Sequence, residues 1–165
     1  MSYDFRLFPC TLSEPPALNQ PGDEKKARFI RGRERLVAKF EERMPQLRRS
    51  SKLRLSITAT AEEGDRNNRH ESIELTDSVS GLQVRLFQDS ISVTIPYRAD
   101  SDVQKDLVHQ LWECLRLFEA AGFSSFDVQQ DKVLSLDADY EGTQSYYTAV
   151  CDKISRVLPG FGDRV

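Results

Sequence analysis

Residues 71–98 read ESIELTDSVSGLQVRLFQDSISVTIPYR, and this stretch decides the fold. Apolar side chains recur at every second position in three segments, 73–76, 82–86 and 91–97, and polar side chains fill the positions between them. Because successive side chains of a strand point to opposite faces, this period of two predicts three strands that share one apolar face. Gly81 supplies turn chemistry between the first two strands. We therefore predict an antiparallel meander whose apolar face needs helices to cover it.

The rest of the chain is expected to extend this sheet and to cover it. Periodicity predicts strands at 3–8 and 53–59, an extended pair at 123–128 and 133–136, and helices at 23–44, 102–121 and 140–157. The prolines at 9, 15, 16 and 21 predict a loop at 9–22. The predicted fold class is α+β, with a single antiparallel, mostly meander sheet of about five to seven strands packed against two or three helices. One domain spans residues 1–165.

The helix at 102–121 is expected to provide the main cover for the sheet. Its apolar stripe is broad, begins at Val103 and includes Trp112, and Gly122 follows it as a natural end signal. The stripe of the last helix is expected to run inward as far as Leu158.

Charge is unevenly distributed along the chain. The formal net charge is −3, yet residues 25–54 carry twelve Lys or Arg and three Glu, a local excess of +9. Such a segment could bind nucleic acid or an acidic protein. The simpler interpretation, which we favour, is a basic helix beside acidic ones, with both polar faces in water.

Several features indicate a cytoplasmic protein. No run of about 18 apolar residues occurs, so we expect no membrane association. The first residues lack the basic and apolar regions of a signal peptide. Cys10, Cys114 and Cys151 are odd in number and lack CxxC spacing, which favours buried thiols in a reducing compartment over a disulfide frame or a zinc site.

Few residues point to chemistry, and we predict no catalytic, cofactor-binding or metal site. His70 and His109 belong to no HxH or HExxH pattern. Residues 137–142, DADYEG, begin like a calcium loop, but the twelfth position is Thr148 instead of the required Glu. The alternative is a helix start at which the dipole favours acids, and we adopt it.

Five segments resemble a group of small, uncharacterised bacterial cytoplasmic proteins: Met1–Phe8, 73–77, 81–84, 94–97 and 126–129. In that group a Y-D-P-Q segment follows the long helix, and the similar residues here read F-D-V-Q. The group looks like the α+β proteins that serve as immunity or accessory partners of bacterial secreted toxins. The resemblance thus implies an immunity protein.

We expect a non-enzymatic protein-binding module. Its finer form, which the resemblance implies, is an immunity protein that neutralises a toxin or effector. The candidate partner-binding residues lie on the polar sheet face and in the acidic helix start: Arg54, Arg85, Phe87, Asp137, Asp139 and Glu141. Two alternatives stay open. One is a small hydrolase-like enzyme with a pocket between sheet and helices that uses Asp127, His109 and Cys114; the other is a nucleic-acid-binding accessory protein.

Overall fold

Seven strands form one antiparallel sheet in the computed structural model, which describes residues 1–9, 23–50, 72–87 and 90–158. The strands are β1 (Ser2–Phe8), β2 (Arg48–Arg49), β3 (Ile73–Thr76), β4 (Gln83–Leu86), β5 (Ile91–Pro96), β6 (Ser124–Asp127) and β7 (Lys132–Val133). Their order across the sheet is β2-β3-β4-β5-β1-β6-β7. The α+β fold, the meander β3–β5 and the N-terminal strand are confirmed, and β1 lies in the middle of the sheet between β5 and β6.

The remaining predicted segments are confirmed only in part. The predicted strand at 53–59 and nearly all of the predicted loop at 9–22 lie outside the described residues. The extended pair near the C-terminus is confirmed as β6 and β7, although β7 is shorter than the predicted 133–136. β2 was not predicted, because two residues are too short to produce a periodic signal.

Within the described ranges, three helices pack on one face of this sheet: α1 (Asp23–Arg43), α2 (Ser101–Ala120) and α3 (Tyr140–Val157). Residues of all three share one hydrophobic core with the alternate, inward side chains of β1 and β3–β5. The rings of Phe40 on α1 and Phe118 on α2 stack with their centroids 4.2 Å apart. The apolar face of the meander is therefore covered, as its alternation requires.

The ends of α2 follow from local chemistry. Asp100 caps the first turn, since its Oδ1 accepts from the N–H of Val103 at 3.0 Å. At the other end Gly122 adopts φ +88°, and the N–H of Phe123 donates to the carbonyl of Phe118 at 3.1 Å. The rings of these two phenylalanines meet edge to face at 5.7 Å, which completes a Schellman motif. The predicted role of Gly122 is confirmed.

Two expectations about the stripes were wrong. Val103 is 41% exposed, because the inward position in the first turn of α2 belongs to Gln104, whose Nε2 donates to the carbonyl of Arg98 at 2.8 Å. Leu158 is 45% exposed. It lies just past the end of α3 with φ −119° and ψ 86°, so the helical stripe no longer sets the direction of its side chain.

Gly81 offers a test of the turn between β3 and β4. Its φ is +82°, and an added Cβ would lie 2.9 Å from Cγ of Pro96. We expect Gly81→Ala to lower the free energy of unfolding by about 1–3 kcal/mol in urea denaturation, through backbone strain and this close contact. The matched control is Gly142→Ala in α3, where nothing lies within 4 Å of the new Cβ and a gain of about 0.5 kcal/mol is expected. Equal stability of the two variants would contradict the turn conformation.

Candidate functional site

The face of the sheet opposite the helices carries rows of polar side chains. We call it the open face and define it by nine residues: Asp4, Arg6, Arg48, Glu74, Thr76, Gln83, Arg85, Ser92 and Thr94. Strand register places these residues side by side, because directly paired residues point to the same face. Seven of these side chains are partly exposed, and the remaining two, Arg6 and Arg48, are exposed. No described helix packs on this face.

The carboxylates of the open face are held by internal partners. Asp4 accepts hydrogen bonds at Oδ1 from the hydroxyl of Thr94, at 2.9 Å, and from that of Ser2, at 3.2 Å. Glu74 forms an ion pair with Arg85, whose Nε lies 3.0 Å from Oε2, and only 17% of the Glu74 side chain is exposed. The charge of Glu74 is therefore compensated by Arg85, whereas the carboxylate of Asp4 is satisfied by neutral hydrogen-bond donors.

The arginines of the open face, in contrast to its carboxylates, remain available to a partner. Arg85 still exposes 41% of its side chain while it pairs with Glu74. Arg6 and Arg48 are exposed, and neither side chain makes a hydrogen bond or an ion pair with another described residue. Arg49, the neighbour of Arg48, points to the other side of β2, where its NH2 lies 2.6 Å from Glu34 of α1. Guanidinium groups are thus the charged groups that this face offers to a partner.

The predicted partner-binding residues divide between two places. Arg85 lies on the open face, and Phe87 follows it in the turn after β4, partly exposed, where its N–H donates to the carbonyl of Ser90 at 2.9 Å. Arg54 lies outside the described residues. The acidic candidates lie elsewhere, at the start of α3.

The acidic residues before α3 are partly engaged already. Asp139 accepts from Nζ of Lys132 at 2.9 Å and from the N–H of Ser135 at 2.7 Å, and these contacts lower the pKa of its carboxyl, with Lys132 the larger cause. Asp137 is 90% exposed and lies 3.3 Å from Arg116, and Glu141 is exposed in the first turn of α3. No group of three His, Cys, Asp or Glu within the described ranges could hold a metal ion.

Asp127 lies at the centre of a buried hydrogen-bond network at the end of β6. Its side chain is fully buried. Oδ2 accepts from the hydroxyl of Tyr3 at 2.6 Å and from Nε2 of Gln130 at 2.7 Å. Oδ1 accepts from the backbone N–H of Gln129 at 3.0 Å and of Gln130 at 2.9 Å, which shapes the turn between β6 and β7. Burial, and then the bond to Asp127, raise the pKa of Tyr3, so its phenol remains a donor.

Gln129 extends the pairing of β1 beyond β6. Its Oε1 accepts from the backbone N–H of Asp4 at 3.0 Å, and its Nε2 donates to Oδ2 of Asp4 at 3.3 Å. Asp127 and Gln129 both belong to the F-D-V-Q segment that carries part of the family resemblance. In this fold the two side chains hold a turn and a strand in place. Sequence reasoning missed this role, because Tyr3 and Asp127 are 124 positions apart.

Tyrosine rings surround the same network and attach α3 to the sheet. The ring centroid of Tyr3 lies 5.8 Å from those of Tyr146 and Tyr147. Tyr147 stacks on Tyr97 at 5.7 Å and donates its hydroxyl to the carbonyl of Pro96 at 2.6 Å. Burial raises the pKa of Tyr97 to about 12. The four rings pack against one another, and the hydroxyls of Tyr3 and Tyr147 make internal hydrogen bonds.

The residues of the enzyme hypothesis do not form a shared site. Asp127 is buried in the turn network, whereas His109 exposes 67% of its side chain on α2, with Nε2 3.7 Å from Glu113. Cys114 is five positions further along α2, about 140° around the helix axis from His109. Burial raises the pKa of the Cys114 thiol, which disfavours the reactive thiolate.

Burial of the thiols is confirmed for two of the three cysteines. Cys114 and Cys151 are free and buried. Cys10 and His70 lie outside the described residues.

No protein-family model, curated protein or solved structure matches the chain. The resemblance to bacterial immunity-type proteins therefore stays a prediction. None of the described helices is long and apolar enough to cross a membrane.

Proposed function

We propose that this chain is a non-enzymatic protein-binding module that uses the open face. One observation supports this proposal above the others: the three described helices lie on one side of the sheet, and polar, partly exposed side chains line the other side across β3, β4, β5 and the first half of β1. Beyond Arg6, that side carries the small buried apolar cluster of Phe8 and Phe126. An antiparallel sheet can keep one face in water without loss of its core. Such a face presents side chains from rigid strands, so a partner meets a surface that needs little ordering on binding.

The finer form of the proposal is an immunity protein that binds and neutralises a secreted bacterial toxin or effector. The resemblance of the N-terminal strand, the meander and the segment 126–129 supports it. A rigid, charged surface also suits this task, because electrostatic complementarity accelerates association and selects the partner.

The alternatives find less support. The enzyme hypothesis loses its proposed constellation, since the described structure separates His109 from Cys114 and buries Asp127 among internal donors. The nucleic-acid hypothesis relied on the basic segment 25–54. Its described part does not present one basic surface, because Arg48 and Arg49 point to opposite sides of β2 and Arg49 pairs with Glu34.

Co-expression with the products of adjacent genes tests the proposal. We expect a tagged form of this protein to retain one such product through gel filtration and, in the immunity form, to relieve growth inhibition by that product. An unrelated acidic protein with the same tag is the control. Absence of any stable protein complex would contradict the binding function, and a stable complex without relief of toxicity would contradict only the immunity form.

A further inference from the structure

We infer that the open face docks an acidic protein surface, whose carboxylates pair with the guanidinium groups of Arg6, Arg48 and Arg85. This inference deepens the proposed function and depends on it. It names the surface that binds and the chemistry of the partner.

The sign of the charge available on the open face carries the inference. Asp4 and Glu74 are its two carboxylates, and both are partly buried and held by internal donors. Arg6 and Arg48 are exposed and make no ion pair among the described residues. A partner therefore encounters positive charge here, although the whole chain has a net charge of −3. Opposite charge on the partner would increase the association rate and penalise partners of the wrong sign.

The spacing of the guanidinium groups sets the pattern that a partner must match. Arg85 on β4 and Arg6 on β1 lie in one row, separated by Ser92 on β5. Since neighbouring strands are about 4.8 Å apart, these two arginine positions are about 10 Å apart, and β4 is equally far from the β2 strand of Arg48. Each guanidinium can hold a carboxylate through two parallel hydrogen bonds. Ser92, Thr94 and Gln83 provide neutral donors and acceptors between the charges.

A protein fits this surface better than a nucleic acid. Three guanidinium groups on separate strands match individual carboxylates, whereas phosphate backbones carry charge at much closer intervals and are bound by denser arrays of Lys and Arg. The acidic remainder of the chain would also repel a long polyanion: residues 55–165 carry ten Lys or Arg and nineteen Asp or Glu.

Site-specific crosslinking locates the contact. A photo-reactive benzoylphenylalanine replaces Ser92, between Arg85 and Arg6 on the open face, and separately replaces Glu119, which is exposed on α2. After irradiation of cells of the source organism, we expect the probe at Ser92 to crosslink to a protein. We expect the probe at Glu119 not to crosslink to that protein. The purified partner is then used for binding measurements.

Charge reversal tests the chemistry of the contact. The variant Arg6→Glu with Arg48→Glu is compared with Lys39→Glu with Lys153→Glu, which makes the same change in net charge on exposed positions of α1 and α3. We expect the open-face pair to weaken binding by about tenfold or more, the control pair to have little effect, and wild-type binding to weaken as salt rises. Replacing the contacting Asp or Glu of the partner by Arg should restore binding to the open-face pair. Thermal unfolding of each variant verifies that it is folded.

The outcomes separate the two proposals. A protein complex that is captured through Glu119, or that is insensitive to the open-face pair, would overturn the docking surface and leave the binding function standing. Capture of nucleic acid at Ser92 would overturn both proposals. Absence of a protein partner at either position, together with no complex in the co-expression test, would also overturn both.

Discussion

Asp127→Ala is expected to lower the free energy of unfolding by about 3–5 kcal/mol. The fully buried carboxylate accepts from Tyr3, from the side chain of Gln130 and from two backbone N–H groups. Removal leaves the Tyr3 hydroxyl and the two backbone N–H groups without this acceptor, and each unsatisfied buried polar group costs about 1–3 kcal/mol. Nε2 of Gln130 keeps a second acceptor, the hydroxyl of Tyr3 at 3.0 Å, so it adds little to the loss. Urea denaturation followed by circular dichroism gives the difference.

Asp127→Asn is the matched control for this prediction. Its side-chain oxygen can still accept from the N–H groups of Gln129 and Gln130, and its amide can donate to the hydroxyl of Tyr3. We therefore expect a loss of only about 1–2 kcal/mol. If Asp127→Ala were no less stable than Asp127→Asn, the network would not be holding the end of β6 to β1.

The sequence predicted those parts of the fold whose signals are local. Alternation over 73–97 identified the meander, and the predicted bounds of α3, 140–157, agree with the structure. The hydrogen-bond network of Asp127 was not predicted, because the contact between Tyr3 and this carboxylate depends on the pairing of β1 with β6. No periodicity in the sequence encodes that pairing.

The candidate site was predictable only in outline, because its electrostatics depend on strand register. Alternation predicted that Arg85 would lie on the polar face. It could not predict that Glu74 would stand opposite Arg85 and neutralise part of its charge. Nor could the excess of basic residues in 25–54 show that Arg48 and Arg49 would face opposite sides of an edge strand. The charge presented by a sheet face follows from which residues are paired, and pairing is a property of the folded chain.

Trp112→Ala is expected to lower the free energy of unfolding by about 3–5 kcal/mol, because it removes the largest side chain of the α2 stripe and leaves a cavity. Trp112 is 4% exposed, and its ring meets that of Tyr140 edge to face at 5.3 Å. Its Nε1 also donates to the carbonyl of Leu136 at 2.9 Å, so one side chain fixes the segment that leads into α3. Trp112 is the one tryptophan of the chain, so the measurement uses circular dichroism in place of fluorescence.

Trp112→Phe separates packing from hydrogen bonding in this prediction. The phenyl ring keeps much of the contact but cannot donate to Leu136, and the expected loss is about 1–2 kcal/mol. Arg116, whose NH2 lies 3.3 Å from the same carbonyl, limits that loss. We expect hydrogen exchange in this variant to increase first over residues 134–147 and much less in α1, since local openings follow the contacts that are lost. An equal increase in α1 would mean that Trp112 stabilises the core as a whole and does not specifically anchor the start of α3.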